Sequence, residues 1–259
     1  MRIALGVEYD GSGFCGWQIQ QNASSVQAFI QQALSKVANH PVKVYCAGRT
    51  DTAVHALNQV VHFDTHAKRE QRAWLMGTNA NLPDGISIIW AKSVPQHFHA
   101  RFSAHKRYYR YIIFNRKVRP TVLSQRVTWE YRPLDVVRMQ EAAQFLVGQN
   151  DFNAFRASGC QAKSSIRTIY HIELKRKKEF VIMDICANGF LHHMVRNIAG
   201  VLITIGCAEQ PVTWSQQILN AKDRRLGGVT ASPHGLYLMD VDYPEEFAIP
   251  GLSPTQMVW

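Results

Sequence analysis

The chain has 259 residues, 46% of them hydrophobic, and its 29 lysines and arginines outnumber its 19 aspartates and glutamates, giving a formal net charge of +10. This composition excludes a disordered chain, and the charge indicates a polyanionic partner, with nucleic acid ahead of an anionic membrane surface. The five scattered cysteines exclude a disulfide framework and a zinc ribbon. The start turns acidic too soon for a signal peptide, and no apolar run approaches the roughly 20 residues of a membrane span, so we expect a cytoplasmic protein.

The first part of the chain is predicted to alternate strands with occasional helices. Residues 2–9 alternate apolar and polar positions, which predicts a half-buried strand, and DGSGFCGWQ predicts a loop whose glycines approach another backbone closely. Apolar residues recur at helical spacing over 26–37, with Ser24 or Ser25 as the N-cap. The other predicted elements are strands at 42–46, over NQVVHF and at 86–94, and a helix at 69–78.

Similar elements return after the basic connector FHARFSAHK. An aromatic strand, RYYRYIIFN, precedes an amphipathic helix at 135–147 that is expected to end at Gly148. The later elements are a lysine-tipped hairpin over IRTIYHIELKRKKEFVIMDICAN, helices over FLHHMVRNIAGVLITIG and VTWSQQILNAK, a strand over GLYLMDVDY and a proline-bearing tail to Trp259. Frequent hairpins favour the α+β class over a doubly wound parallel sheet. The halves 1–105 and 106–259 are predicted to be related domains.

Residues 46–56, CAGRTDTAVHA, place a single carboxylate, Asp51, two residues from Arg49 among small side chains. A carboxylate beside an arginine stays ionised, which suits a nucleophile or an electrostatic stabiliser and does not suit a general acid. Spacing alone favours a simpler interpretation, in which Asp51 caps a turn beside Thr50 and Thr52.

Two further motifs carry arginines that need partners. Arg196 stands in a nearly all-apolar helix, and an unpaired guanidinium is costly to bury, so it requires a carboxylate or phosphate unless it reaches solvent. In RYYRY, strand geometry places Arg107, Tyr109 and Tyr111 on one face. Tyrosine there can stack on a base while arginine pairs with phosphate, but an ordinary half-buried strand is an equal alternative.

Metal and nucleotide sites have little support in the sequence. The histidines of HFH (His97, His99) and of HH (His192, His193) lack an obvious third and fourth ligand, which favours structural or RNA-contacting roles. DGSGFCGW lacks the third glycine of a dinucleotide fingerprint. We therefore expect neither a metal nor a nucleotide cofactor.

Taken together, these motifs resemble the tRNA pseudouridine synthase A family. The likeness runs along nearly the whole chain through EYDGSGFCGWQ, CAGRTDTAVHA, NQVVHF, NANLP, FHARFSA, RYYRYII, DFNAF, HHMVRNIAG and GLYL. The resemblance implies a cofactor-independent isomerase, a tRNA pseudouridine(38–40) synthase, which breaks the uridine N1–C1′ bond and rejoins the sugar at C5 in the anticodon stem-loop. It also implies a homodimer and the α+β pseudouridine synthase fold, in which two related halves share a mixed, largely antiparallel sheet flanked by helices.

The resemblance also assigns the site. It makes Asp51 the nucleophile, with attack at C1′, attack at C6 and a glycal route all open, and Arg196 its ion-pair partner. Tyr109 would contact the base, and Arg49 would help to extrude the target nucleotide. One position departs from the family, since the chain has Ala53 where glycine is usual. If that position needs a positive φ, alanine costs about 1 kcal/mol or shifts the loop.

Two other classes of function remain as alternatives to the synthase. One is a non-catalytic tRNA-binding protein or chaperone on the same fold. The other is a metal-dependent nucleic-acid hydrolase that uses Asp51 with His55, His97 and His99.

Overall fold

A computed structural model describes residues 1–252, so the end of the predicted proline-bearing tail, from residue 253 onward, lies outside the described residues. The chain forms two compact units: unit 1 comprises Met1–Arg107 and the chain from Tyr237 onward, and unit 2 comprises Tyr108–Leu236. The division into domains 1–105 and 106–259 stays a prediction. Within residues 1–252, no helix is long and apolar enough to cross a membrane.

Strands and helices are both present in each unit, which confirms the α+β class. The strands are β1 (Arg2–Tyr9), β2 (Tyr45–Cys46), β3 (His55–Asp64), β4 (Ile86–Val94), β5 (Lys106–Asn115), β6 (Thr128–Glu130), β7 (Gly148–Asp151), β8 (Ile166–Lys177), β9 (Phe180–Ala187) and β10 (Leu236–Asp242). The α-helices are α1 (Val26–Ala38), α2 (Val136–Gln144), α3 (Met194–Gly206) and α4 (Trp214–Ala221).

Unit 1 is built on a mixed sheet in the order β4-β1-β3-β10, with β2 paired to β3. β1 runs antiparallel to β3 and β4, whereas β10 runs parallel to β3. Ser25 caps α1 by accepting a hydrogen bond from the backbone N–H of Ala28, as the sequence predicts. β3 leads directly out of the Asp51 loop, so the sheet fixes one end of that loop.

Unit 2 has strands in the order β5-β9-β8-β7, with β6 parallel to β5 and antiparallel pairing among β7, β8 and β9. α2 packs on β8 and against α3 and α4. α3 is buried nearly all round, with its interior formed by Val195, Ile198, Ala199, Val201, Leu202 and Ile205. The predicted hairpin is the β8–β9 pair.

Several predicted boundaries were wrong. The strand at 42–46 is reduced to β2, because the N–H groups of Val42 and Val44 donate to side chains of α1, Ser35 and Gln31, instead of to a strand. The half-buried pattern predicted for residues 2–9 was also wrong, because β1 is buried on both faces except at Arg2 and Glu8.

The predicted helices differ from the observed ones at their ends, and one of them contains a π-helical segment. α2 ends at Gln144, because the next residues form tighter turns in which Leu146 N donates to Ala143 O and Val147 N to Gln144 O. α3 begins only at Met194, since His193 adopts φ 61°. The helix predicted at 69–78 contains a π-helical segment, Ala73–Gly77.

Candidate catalytic loop and arginine helix

The Asp51 loop joins β2 to β3 in unit 1. Asp51 is half-buried and Arg49 is exposed. The backbone turns tightly after Asp51, whose carbonyl accepts a hydrogen bond from Val54 N at 3.2 Å. Between them, Ala53 is 6% exposed and has a φ of 63°. The family's glycine position thus does need a positive φ here, and alanine occupies it under strain.

The glycine-rich loop after β1 fixes the Asp51 loop through its backbone. Trp17 N donates to Thr50 O at 3.0 Å, and the Tyr9 hydroxyl lies 2.8 Å from Thr50 Oγ1. Gly16 has a φ of 82°, and a Cβ there would lie 2.9 Å from Thr50 O and 3.1 Å from the carbonyl carbon of Asp51. The predicted close approach of two backbones is therefore confirmed, and its target is the segment that carries Asp51.

His55 is a second support at the end of this loop. It is 2% exposed, and its ring stacks on that of Tyr237 with centroids 4.6 Å apart. Its Nδ1 accepts from Gly11 N at 3.1 Å and lies 3.1 Å from Asp10 Oδ1. In the described part of unit 1, no group of three metal-ligand atoms combines Asp51 with His55, His97 or His99. The ligand set of the hydrolase alternative is therefore not assembled in this unit.

The Cys46 thiol, at the start of the Asp51 loop, is held in its protonated form. Loss of hydration raises the pKa of Cys46 to about 12, and the positive charges of Arg49 and Arg101 oppose this rise only in part. The thiol therefore stays protonated at neutral pH.

In unit 2, β5 supports the half-buried-strand interpretation of RYYRY for most of its residues. Arg110 forms a two-pronged ion pair with Asp184, at 2.7 and 2.9 Å, and Tyr111 OH donates to Ser232 O at 2.7 Å. Tyr109 is 9% exposed and meets the ring of Phe190 edge-on at 5.0 Å. Tyr109 therefore sits in an aromatic setting in which its ring orientation is fixed.

Arg107, the first residue of RYYRY, belongs to unit 1, and its side chain joins three backbone carbonyl groups. Its guanidinium donates to the carbonyl oxygens of Ala104 at 3.1 Å, Ala47 at 3.3 Å and Arg101 at 2.7 Å. These bonds fix the basic connector next to the strand that leads into the Asp51 loop. These three hydrogen bonds explain the position of the Arg107 side chain without the phosphate contact expected from the sequence.

Arg196 is half-buried on α3, and a loop that follows α4 holds it at two points. Arg196 Nε donates to Ala231 O at 2.9 Å, and Ala231 N donates to Arg196 O at 3.1 Å. Burial raises the pKa of Tyr111, and the charge of Arg196 opposes that rise. Tyr111 OH donates to the carbonyl oxygen of Ser232, the residue after Ala231, so Arg196 lies close to β5, the strand that carries Tyr109.

Asn197 organises the loop that fixes Arg196, and sequence reasoning missed it. It is 2% exposed and donates to Phe155 O at 2.7 Å. Its Oδ1 accepts from Arg224 at 3.0 Å and from the Thr230 hydroxyl at 2.7 Å. An asparagine on an apolar helix face was the available signal, because a buried amide requires partners.

The sequence profile of the family described as "tRNA pseudouridine synthase" matches residues 6–103 and 142–244. These stretches are well over half of the chain and include the Asp51 loop and Arg196. The chain belongs to the tRNA pseudouridine synthase family. The resemblance inferred from the motifs is thereby confirmed.

Relatives named tRNA pseudouridine synthase A agree along almost the whole length. One from Pseudomonas aeruginosa is 59% identical over 250 residues, covering 96% of this chain and 88% of that protein. One from Nitrosococcus oceani is 56% identical over 259 residues, covering 100% of both chains. One from Coxiella burnetii is 55% identical over 249 residues, covering 96% of this chain and 95% of that protein.

For this synthase family member, the predicted site residues fall into two sets. Unit 1 brings Asp51 and Arg49 into one loop, and unit 2 holds Tyr109 and Arg196 on β5 and α3. The catalytic roles of all four residues, and the pairing of Arg196 with Asp51, stay predictions.

Proposed function

We propose that Asp51 is the nucleophile with which this chain converts uridine to pseudouridine in the anticodon stem-loop of tRNA, at positions 38–40. Membership of the tRNA pseudouridine synthase family makes the chain an isomerase acting on tRNA uridine. The observation that supports the assignment of Asp51 is that the backbone around it is held in place. The half-buried carboxylate stands on a turn whose neighbours are fixed by Trp17, Tyr9 and the close approach of Gly16.

A fixed carboxylate suits the first step of the reaction. The target uracil is stacked and paired in the stem, so it must leave the helix before any group reaches its sugar. Asp51 then attacks C1′ or C6, or removes the C2′ proton, and the N1–C1′ bond breaks. Preorganisation of the backbone matters because a misplacement of about 1 Å can cost about 100-fold in rate.

The other three residues bind and orient in this proposal. Exposed Arg49, two residues from Asp51, holds the opened stem by its charge. Tyr109 stacks on the freed uracil, which turns over before C5 bonds to C1′, and stacking tolerates that rotation. Arg196, fixed by Ala231, keeps the carboxylate ionised and aimed. The formal charge of +10 adds a salt-dependent attraction to the RNA backbone.

The proposal also includes a homodimer in the cytoplasm and a reaction without cofactor or metal. Sedimentation equilibrium would give the number of copies in solution, and turnover in the presence of a strong chelator would test the metal-free reaction. Turnover that survives the chelator would eliminate the metal-dependent hydrolase class.

The deciding experiment follows the proton that C5 loses. Formation of the C1′–C5 bond expels the C5 hydrogen, so unmodified tRNA tritiated at C5 of uridine should release label to water. Mapping the modified positions in the same product then tests the 38–40 assignment. Binding of tRNA with no release of label would leave the non-catalytic binding protein as the function.

A further inference from the structure

Four rings form a contiguous cluster on unit 1, and the chemistry proposed above uses none of them. This ring cluster consists of Tyr45, His62, His99 and Phe102. The His99 and Phe102 centroids lie 4.4 Å apart, those of His62 and His99 4.6 Å, and those of Tyr45 and His62 5.1 Å at an interplanar angle of 18°. The cluster thus extends from β2, which leads into the Asp51 loop, to the connector before β5.

The ring cluster changes from buried to exposed along its length. His62 is 1% exposed, Tyr45 is 42% exposed and Phe102 is 75% exposed. An aromatic side chain that is three-quarters exposed gains little from burial, so most of its apolar surface remains available to a ligand. Phe102 thus contributes little to packing within unit 1.

The turn that carries Phe102 is firmly held. His99 Nδ1 accepts from the backbone N–H groups of Arg101 at 3.1 Å and Phe102 at 3.3 Å. Ser103 closes the turn through its hydroxyl and its backbone N–H, which bond His99 at 3.0 and 2.9 Å. The ring of Phe102 is therefore presented on a preorganised backbone, which lowers the entropy cost of binding a ligand.

The imidazoles behind Phe102 are neutral stacking partners. His62 Nδ1 accepts from Ala100 N at 3.1 Å, which leaves that nitrogen without a proton. Burial lowers the pKa of His62 to about 4 and, with Arg2 and Arg101, lowers that of His99. The interior of the cluster thus supports the exposed ring without adding a charge beneath it.

A cation lies against each of the two exposed rings of the cluster, Phe102 and Tyr45. The guanidinium carbon of Arg101 lies 5.6 Å from the Phe102 centroid, and Lys43 Nζ lies 5.4 Å from that of Tyr45. Arg49 and Arg101 both act on the thiol of Cys46, the residue after Tyr45. Aromatic rings interleaved with cations are the composition of surfaces that bind unpaired nucleic acid.

We propose that the ring cluster is a stacking site for an unpaired nucleobase of the RNA substrate, distinct from the uridine that is isomerised. The base stacks on Phe102, and Arg101 and Lys43 contact the phosphates on either side of it. The identity of the RNA as a tRNA anticodon stem-loop rests on the proposed function. The binding mode itself rests on the rings, the held turn and the charges.

The test measures binding of an anticodon stem-loop RNA that carries 2-aminopurine at successive loop positions. Phe102→Ala should weaken binding about tenfold and abolish the fluorescence quenching at one loop position, whereas Phe102→Tyr should retain both. Arg101→Gln should reduce the salt dependence of binding by about one phosphate contact.

Tyr131 supplies a matched control in unit 2. It is 60% exposed, and the guanidinium carbon of Arg132 lies 5.9 Å from its ring centroid. Tyr131→Ala should leave affinity and quenching unchanged. Equal losses in Phe102→Ala and Tyr131→Ala, or no loss in Phe102→Ala, would overturn the proposal. So would a change in sedimentation mass in Phe102→Ala, which would identify the cluster as an interface between copies of the chain.

The two proposals fail separately in these measurements. Normal tritium release by wild type with unchanged RNA binding by Phe102→Ala would reject the stacking site alone. Loss of quenching in Phe102→Ala without any tritium release by wild type would reject the isomerase assignment alone. Because Phe102 is so exposed, its variants should unfold at the wild-type urea midpoint, which excludes misfolding as the cause of a binding loss.

Discussion

The loop that carries Asp51 and the helix that carries Arg196 are held in place by opposite means. The loop depends on the absence of a side chain at Gly16, which leaves room for the backbone of Thr50 and Asp51. The helix depends on atoms that are present, since apolar side chains surround it and Asn197 binds the segment that fixes Arg196. Added side-chain atoms should therefore damage the loop, and altered or removed ones should damage the helix.

Asp51→Asn should have the largest effect of all, because it removes the attacking charge while keeping the shape of the loop. We expect tritium release to fall about 10⁴-fold or more, as for other removed nucleophilic or charged catalytic groups. Affinity for tRNA should stay within about twofold, since the contact surface is unchanged. The control is Asp84→Asn, an exposed turn carboxylate in the same unit. Near-normal turnover by Asp51→Asn would remove Asp51 as the nucleophile.

Arg196→Lys should have the next largest effect, and it tests the helix side of the comparison. Lysine keeps the charge but loses the Nε–H that donates to Ala231 O at 2.9 Å, so the cation is no longer aimed. We expect kcat to fall about 100-fold with little change in KM, measured by tritium release.

Arg138 gives the matched control for that substitution. Its guanidinium on α2 also donates to backbone carbonyls, those of Ile205 at 3.4 Å and Gln210 at 3.1 Å. Arg138→Lys should keep full turnover. If both variants lose activity equally, the loss reflects packing of unit 2 and the role of Arg196 is not specific.

Gly16→Ala should have a smaller effect on rate and a clear effect on stability. Its Cβ would meet Thr50 O at 2.9 Å and Thr52 N at 3.1 Å, in addition to the strain of φ 82°. We expect about a tenfold loss of kcat and a loss of about 2–4 kcal/mol in the free energy of unfolding, measured with urea.

Gly148→Ala separates the contact from the strain. Gly148 has a φ of 97° and no atom within 4 Å of a Cβ built there. That variant should lose about 1–2 kcal/mol of stability and no activity. A Gly16→Ala protein that behaves like Gly148→Ala would show that the close approach does not position Asp51.

Local patterns in the sequence predicted the regular elements well. The helical spacing over residues 26–37 and the capping serine identify α1, because each signal lies within or next to the element itself. The strand predicted at 86–94 is β4. Residues 42–44 were predicted wrongly, since their N–H groups bond to side chains of α1. These hydrogen-bond partners come from another part of the chain, so they leave no periodic pattern of apolar residues in residues 42–44.

The same distinction holds for the site. The glycines around Gly16 predicted a close approach between two backbones, because only glycine permits it. They did not predict which backbone segment approaches. The bond between Arg196 and Ala231 spans 35 residues and uses a main-chain oxygen, which any residue type supplies. The ring cluster joins three separate stretches of chain, so no motif contains it.

Ala53→Gly should have the smallest effect, and it tests the idea that the Asp51 loop tolerates removed atoms. Glycine relieves the strain of φ 63°, but it loses a buried methyl group and gains freedom in the unfolded chain. These opposing terms leave an expected gain of about 0.5 kcal/mol or less in the free energy of unfolding, with unchanged tritium release.

Ala208→Gly sharpens that prediction, because Ala208 has nearly the same φ, 61°, but an exposed methyl group. With no burial to lose, it should gain about 0.5–1 kcal/mol, more than Ala53→Gly. A larger gain at Ala53 than at Ala208 would mean that the methyl group of Ala53 is crowded. In that case the glycine usual in the family would relieve both a steric contact and backbone strain in the Asp51 loop. Ala53 would then resemble Gly16, as a second position where the loop needs the smallest residue.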